Sequence, residues 1–342
     1  MTLPASGQIS LTDVYYEIYG IGNLYPPISL NDQIIRDLFG KSTANSQISL
    51  SDGYGKTYVF NYTISSNSSK INLRSLVDAA GYNQFGPVVI TINSGVYIWS
   101  DDVTIPALTT GSFSSTLTII NNGYIMGCGG DGGVYTNSSK AGGNAISLNV
   151  NTSIENNSYI GGGGGGAGGA YNSTTTSYSG GGGAGGGAVY GVNTSGVFTK
   201  RSGGAIGTSG LNGTGRYSAS GGRQFPGSTG TGGTATAGTS AFGSVSGAGG
   251  GGGAYSESGT GGTVVGGNGG SAGNAGTTGS LGNNENFNVA LGGGGGYGAS
   301  GASGSAGSSY TTYAGAAGGK AIALNGFTAT RTGTGQTYGS VS

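Results

Sequence analysis

The chain has no histidine and a single cysteine, Cys128, among its 342 residues. The first absence removes the commonest general base, the commonest metal ligand and the side chain that titrates near neutral pH. The second excludes intrachain disulfides and cysteine-cluster metal sites. Charge is scarce as well. Asp, Glu, Lys and Arg make up 7% of the residues, and twelve basic side chains cancel twelve acidic ones; an ordinary protein is roughly 25% charged. Without clustered Lys and Arg there is no electrostatic footprint for nucleic acid, so no such partner is expected. No apolar run approaches the roughly 18–20 residues that span a bilayer, so no membrane insertion is expected. The opening residues, Met1–Gln8, have neither the basic nor the apolar stretch of a secretory leader, which points to synthesis in a cytoplasm without a cleaved signal.

What the chain has in excess is glycine. Residues 127–342 hold 71 of the 82 glycines, in blocks such as 161–169, 180–187, 249–253 and 292–296. Such a segment cannot build an oily core. Its order must come from backbone hydrogen bonds between strands packed closer than side chains permit.

Residues 1–57 carry a triple repeat: Ile9-Ser10-Leu11-Thr12-Asp13, Ile28-Ser29-Leu30-Asn31-Asp32 and Ile48-Ser49-Leu50-Ser51-Asp52. Ser followed three residues later by Asp is a variant of the capping box, with the carboxylate facing the positive end of a helix. The second copy predicts a helix over 30–39 stopped by Gly40, and the first a similar helix ending at Gly20. The third breaks at Gly53 and Gly55. A small helical module that docks onto something else fits this pattern, because 57 residues make a marginal core alone.

Residues 58–126 read as a short α+β segment, with strands over 58–64, 88–92, 96–99 and 116–120 and a helix over 72–80. Two internal echoes follow. Asn121-Asn122-Gly123-Tyr124-Ile125 returns as Asn156-Asn157-Ser158-Tyr159-Ile160, and Gly142–Asn149 returns as Gly318–Asn325. Repetition at such distances predicts similar rungs bracketing the glycine blocks. The tail, 327–341, predicts a closing strand pair.

Three physical answers compete for the glycine blocks. Collagen is excluded: there is no strict third-residue glycine, and Pro226 is the only proline after residue 106. A flexible linker is the default for Gly/Ser-rich sequence. The third answer is a stack of polyglycine II helices, which make no internal hydrogen bonds and must pair laterally. Blocks of comparable length, joined by aromatic-bearing segments, favour the stack over the linker.

Those joining segments hold the candidate receptor-binding residues: Tyr171 and Tyr178; Tyr190, Phe198, Lys200 and Arg201; Tyr217, Arg223 and Phe225; Tyr255; Phe287; Tyr310 and Tyr313. Tyrosine among Ser, Gly and Asn is the chemistry of adaptable recognition loops. The same rings could instead cover the edges of the glycine scaffold. Loops joining a back-and-forth stack alternate between its two ends, so about half could face one target.

Catalytic patterns are absent. Gly40-Lys41-Ser42, Gly55-Lys56-Thr57 and Gly319-Lys320-Ala321 each lack the earlier glycine of a phosphate loop; Ile35, Leu50 and Ala314 stand there. Asp101-Asp102 is an isolated acidic pair, and Cys128 has no histidine to activate it. Neither an enzyme nor a cofactor is expected.

The Ile-Ser-Leu-x-Asp module, the Gly95-Val96-Tyr97 segment, the Asn-Asn-Gly-Tyr-Ile-x-Gly entry into glycine and the Gly-Gly-Lys-Ala-Ile-Ala-Leu-Asn exit together resemble glycine-rich virion proteins of tailed bacteriophages. The glycine region is similar to the tip adhesins of T-even-like long tail fibres. That resemblance implies a polyglycine II sandwich whose end loops contact bacterial outer-membrane proteins or surface glycans. The expected fold is mainly irregular and β: a helical virion-attachment module over 1–57, a small α+β domain over 58–126, the glycine sandwich over 127–325 and closing strands over 326–342. The expected function is a tail adhesin that joins other tail proteins through residues 1–126. The alternatives are a purely structural virion part and an ice-binding bundle, the latter disfavoured by the irregular blocks.

Overall fold

The computed structural model describes residues 2–20, 27–43, 46–84, 86–133, 138–168, 170–172, 176–178, 188–192, 198–202, 234–236, 263–265, 270, 273–275, 277–278, 289–290, 292, 294–306 and 311–342. Strands dominate the described residues, and the three α-helices are short.

The N-terminal module is set by its capping chemistry. Ser10 caps the helix Leu11–Tyr19 in a complete capping box: its hydroxyl accepts from the Asp13 amide, and the Asp13 carboxylate accepts from the Ser10 amide at 2.7 Å. Gly20 ends that helix with φ +79°. Ser49 and Asp52 repeat the box on a single 3-10 turn, Leu50–Gly53. In the middle copy the Ser29 amide still donates to Asp32 at 2.7 Å, but the helix begins only after Asp32, over Gln33–Leu38. It is shorter than its apolar pattern predicts because residues 30–31 are spent on a turn. Leu3, Ile9, Val14, Ile18, Ile35, Leu38 and Phe39 form a core of their own.

From Phe60 onward the chain winds into five stacked coils. The first sheet stacks Phe60–Ile64, Val88–Ile92, Leu117–Asn121, Thr152–Asn156 and Ala329–Thr332, all parallel. The second stacks Ser68–Ser69, Tyr97–Trp99, Tyr124–Met126, Tyr159–Gly161 and Gln336–Tyr338. The third stacks Ile71–Asn72, Leu108–Thr109, Ile146–Ser147 and Ile322–Ala323, with a parallel bridge from Ile322 to Val341. Each of the first four coils contributes one strand to each sheet, and the fifth adds a strand to the first two and the Val341 bridge to the third, so inward side chains fall into columns. Ile90, Ile119 and Ile154 make one column, Ile98, Ile125 and Ile160 another, and Ile71, Leu108, Ile146 and Ile322 a third, all buried. Burial at about 25 cal/mol per Å² along such columns drives the stack, and neighbouring coils supply the interface that no single coil has.

The segment expected as α+β thus supplies the first coils, and all three sheets run past residue 126. Its helix, Leu73–Ala79, adds Leu73 and Val77 to the coil core. The two internal echoes are coil registers: Asn156 lies beside Asn121, Tyr159 beside Tyr124 and Ile322 beside Ile146. The final strands pair with the fourth coil rather than with each other.

Asparagine closes the corner between the first two sheets. The buried Asn121 amide donates to Asn156 Oδ1 at 2.8 Å and to the Tyr159 carbonyl at 3.1 Å, while its oxygen accepts from the Gly123 amide at 3.2 Å. Asn156 passes the pattern on, donating to the Gln336 carbonyl at 3.0 Å.

The corner between the second and third sheets behaves differently. There the first coil crosses in one residue, Lys70, and the second uses 100–107. The third leaves at 126 and returns at 146, and the fourth leaves at 161 and returns only at 322. The glycine region is therefore a detour of the third and fourth coils from one corner of the stack.

Candidate functional site

Along the detour, glycine rows extend the strands of the second sheet. Gly127, Gly130 and Gly133 donate to Gly161, Gly164 and Ala167 at 2.8–2.9 Å. The row 161–168 is bonded to several more rows. Gly163 and Gly166 donate to Gly143 and Lys140, and Gly165 and Gly168 donate to Ala299 and Ala302. Gly319 and Ala316 donate to Gly163 and Gly166, and Gly298, Gly295 and Gly292 donate to Gly162, Gly165 and Gly168. Partners step by three residues in every case.

Close approach requires glycine at these positions. A Cβ on Gly163 would come far inside contact distance of the Cys128 carbonyl, and one on Gly166 would do the same to that of Asp131. Ala167, fully buried, shows that the remaining position of the three-residue period has room for a methyl group.

The pairing directions separate two ends. Rows 127–133, 161–168 and 299–304 run away from the coil corner, and rows 138–143, 292–298 and 313–320 run back. The turn at Tyr297–Gly298 lies at the near end, against the coils. Tyr297 is 1% exposed and meets Tyr159 edge-to-face at 5.6 Å, in a cluster with Met126 and Tyr338. Burial pushes the Tyr297 and Tyr159 hydroxyls well above the ordinary phenol range, and the Tyr159 oxygen is buried with no hydrogen-bond partner. Tyr97 and Tyr124 extend this column of rings, stacked at 4.7 Å and 10°.

The far end is the candidate binding surface. There the chain passes from 168 into strand Ala170–Asn172, which pairs antiparallel with Thr176–Tyr178 on one side and Thr311–Thr312 on the other. Tyr171 and Tyr178 lie in this small sheet, and Tyr313 follows it, half-buried, its carbonyl accepting from Gly304 at 3.1 Å. A hairpin pairs Ala188–Val192 with Phe198–Ser202, setting Tyr190 opposite Lys200, Val189 opposite Arg201 and Val192 opposite Phe198. Tyr217, Arg223, Phe225, Tyr255, Phe287 and Tyr310 lie outside the described residues. Near the far end of row 127–133, Asp131 pairs with Lys140 at 3.4 Å. Among the described residues no group of His, Cys, Asp or Glu could hold a metal, and no helix is long and apolar enough to cross a membrane.

The residues missed at the sequence level are Tyr297 and Tyr338, which seat the rows on the coils. Tyr124 and Tyr159 were flagged by their echo. Nothing local marks Tyr297, because its partner Tyr159 is remote in sequence.

A stack of coils holding a lateral array of glycine rows, with tyrosine-bearing connections at the array's free end, defines a display scaffold. The family model described as phage tail fibre adhesin Gp38 matches residues 59–242. The chain belongs to the Gp38 family of phage tail fibre adhesins, which places it on the virion tail. Among solved structures, the gp37–gp38 adhesin tip complex of the bacteriophage S16 long tail fibre is similar at a TM-score of 0.48 and 19% identity, over 90% of this chain and 91% of that one. No curated protein matches the sequence.

Proposed function

We propose that this adhesin binds a bacterial surface protein or glycan through the far end of its glycine rows, and that residues 1–57, with the first coils up to 126, fasten it to other tail fibre proteins. It acts by binding, without a reaction. It is made in the cytoplasm of the host bacterium.

The observation that carries this reading is the three-residue step of the lateral hydrogen bonds, from Gly127, Gly130 and Gly133 to Gly161, Gly164 and Ala167. A polyglycine II helix has three residues per turn and leaves every amide to find a neighbour, so this step supports a polyglycine II sandwich. At about 3.1 Å per residue, the row 161–168 would carry its connection roughly 25 Å from the coil corner. Entropy disfavours ordering glycine, so such an array needs lateral bonding on many sides to persist, and row 161–168 has it. With the near turn at Tyr297 sealed against the coils, contact falls to the far connections. Tyr171, Tyr178 and Tyr313 stand first in line, with Tyr190, Phe198, Lys200, Arg201, Tyr217, Arg223, Phe225, Tyr255, Phe287 and Tyr310 as the further candidates.

The test is labelling of host cells by the purified, fluorescently tagged protein. Replacing 170–179 with a Gly/Ser sequence is expected to abolish labelling and leave the unfolding transition in place. If the unaltered protein labels no strain that the phage adsorbs to, receptor binding fails as a reading, and a purely structural virion role takes its place.

A further inference from the structure

We propose that Tyr338 and Gly339, in the last coil, position the binding end from the opposite side of the array by clamping the base of the rows to the coil stack. The proposal rests on the reading of the far end as the receptor-facing surface.

Several rows converge on these two residues. Tyr338 pairs with Gly161 in the second sheet, and its carbonyl accepts from the Gly162 amide at 2.9 Å, which fixes the start of row 161–168. Its ring lies 5.4 Å from that of Tyr159, which carries Tyr297 and hence the turn ending row 292–298. The same ring closes over Gly273, where a Cβ would meet it at 2.9 Å, and the Gly273 amide donates to the Tyr297 carbonyl at 2.9 Å. Gly339, with φ +108°, packs against the end of row 313–320. A Cβ there would fall 2.6 Å from the Gly319 oxygen and 2.8 Å from the Ala321 nitrogen. On its other side a Cβ on Gly298 would collide with the Gly339 backbone. Outgoing and returning rows thus meet the last coil at one point.

The rows turn this contact into leverage. They are bonded laterally into one body, so a loosened base tilts the whole array rather than one segment. Over a reach of about 25 Å, a tilt of about 10° moves the far end by roughly 4 Å, several times the ~0.5 Å tolerance within which a binding constellation must be held. Tyr338 and Gly339 lie outside every candidate binding connection, and their influence runs through the rows.

The test uses the full chain with Gly339→Ala, Tyr338→Ala and Tyr338→Phe. Hydrogen exchange is read separately at row amides (Gly162, Gly165, Gly298) and coil amides (Ile90, Ile119, Ile154), and cell labelling is measured in parallel. For Gly339→Ala and Tyr338→Ala, row amides are expected to exchange about 100-fold faster by local opening while coil amides hold, with labelling reduced about tenfold. Tyr338→Phe keeps the ring and the backbone bond, so it is expected to match the parent in both. Unchanged row protection in the alanine variants would overturn the clamp and leave the binding surface untouched. Coil and row amides loosening together would overturn it too, because the contact would then belong to the stack's own stability. Loosened rows with undiminished labelling would instead overturn the receptor-facing reading.

Discussion

An alanine at position 166 should be among the most damaging single-methyl additions in this molecule. The Gly166 amide donates to the Lys140 carbonyl at 3.0 Å, and the Gly166 carbonyl accepts from Ala316 at 2.9 Å. The new methyl group would come closer than 3.0 Å to the Asp131 carbonyl, a backbone group with nowhere to rotate. Restoring contact near 3.5 Å requires the neighbouring row to retreat by more than about 1 Å, against a close-packed interior. Such a retreat stretches at least two lateral hydrogen bonds, worth about 1 kcal/mol each, and adds overpacking strain of about 1–3 kcal/mol. Alanine restricts the unfolded chain and returns about 0.4–1 kcal/mol. The net expectation is a loss of about 2–4 kcal/mol, a large share of the ~5–15 kcal/mol that holds a typical domain together. The companion change Ala167→Gly removes a methyl group that already fits and should cost about 1 kcal/mol, chiefly in chain entropy. Urea unfolding followed by tyrosine fluorescence, with hydrogen exchange over 161–168, measures both. A Gly166→Ala protein within 0.5 kcal/mol of the parent, judged against the ~1 kcal/mol value of one hydrogen bond, would refute the close-row packing.

Three further predictions concern other parts of the fold. Tyr159→Phe removes a buried hydroxyl that has no partner, so it should be neutral or stabilise by about 1–3 kcal/mol; a drop in melting temperature would contradict this. Ser10→Ala removes the oxygen that accepts from the Asp13 amide and should cost the N-terminal module about 1 kcal/mol, seen as faster exchange in helix 11–19 alone. Burial raises the Glu17 pKa above its ordinary 4.5, opposed by its hydrogen bond from the Tyr58 amide. In the window just above pH 4.5 the folded state therefore binds more protons than the unfolded one, and this group makes the module lose stability as pH rises. Glu17→Gln should flatten that slope in pH-dependent melting, and an unchanged slope would assign it to another group.

The legible parts of the sequence were those written in local chemistry. Ser10 with Asp13 and Ser49 with Asp52 announce turns, because a capping box needs only four residues. The echo of Asn121–Ile125 in Asn156–Ile160 announces rungs, because parallel neighbours in register see the same surroundings. The first coils, over 58–126, read as α+β from sequence. The first-sheet strands of the stack begin at Phe60, Val88, Leu117, Thr152 and Ala329, and unequal detours at one corner hide the repeat from any fixed-period reading. The short strands give the expected alternation, but nothing local says that Ile90, Ile119 and Ile154 share a column. At the candidate site, the glycine blocks signalled lateral packing, and Ala167 alone hints at a three-residue period. Which end faces outward was not readable, since it depends on the distant contact between Tyr297 and Tyr159.

The departure of the glycine region from between Gly161 and Ile322 has a practical consequence. The strands that flank it, Tyr159–Gly161 and Ile322–Ala323, are held in register by the neighbouring coils, and the entropic penalty of a long excursion grows only logarithmically, by about 0.6 kcal/mol per doubling. That junction is a cassette slot: whole inserts of other lengths could be exchanged there with the framework intact. On the proposed receptor-facing reading, a phage lineage could change hosts by trading the insert, and an engineer could graft a foreign recognition segment at the same two splice points.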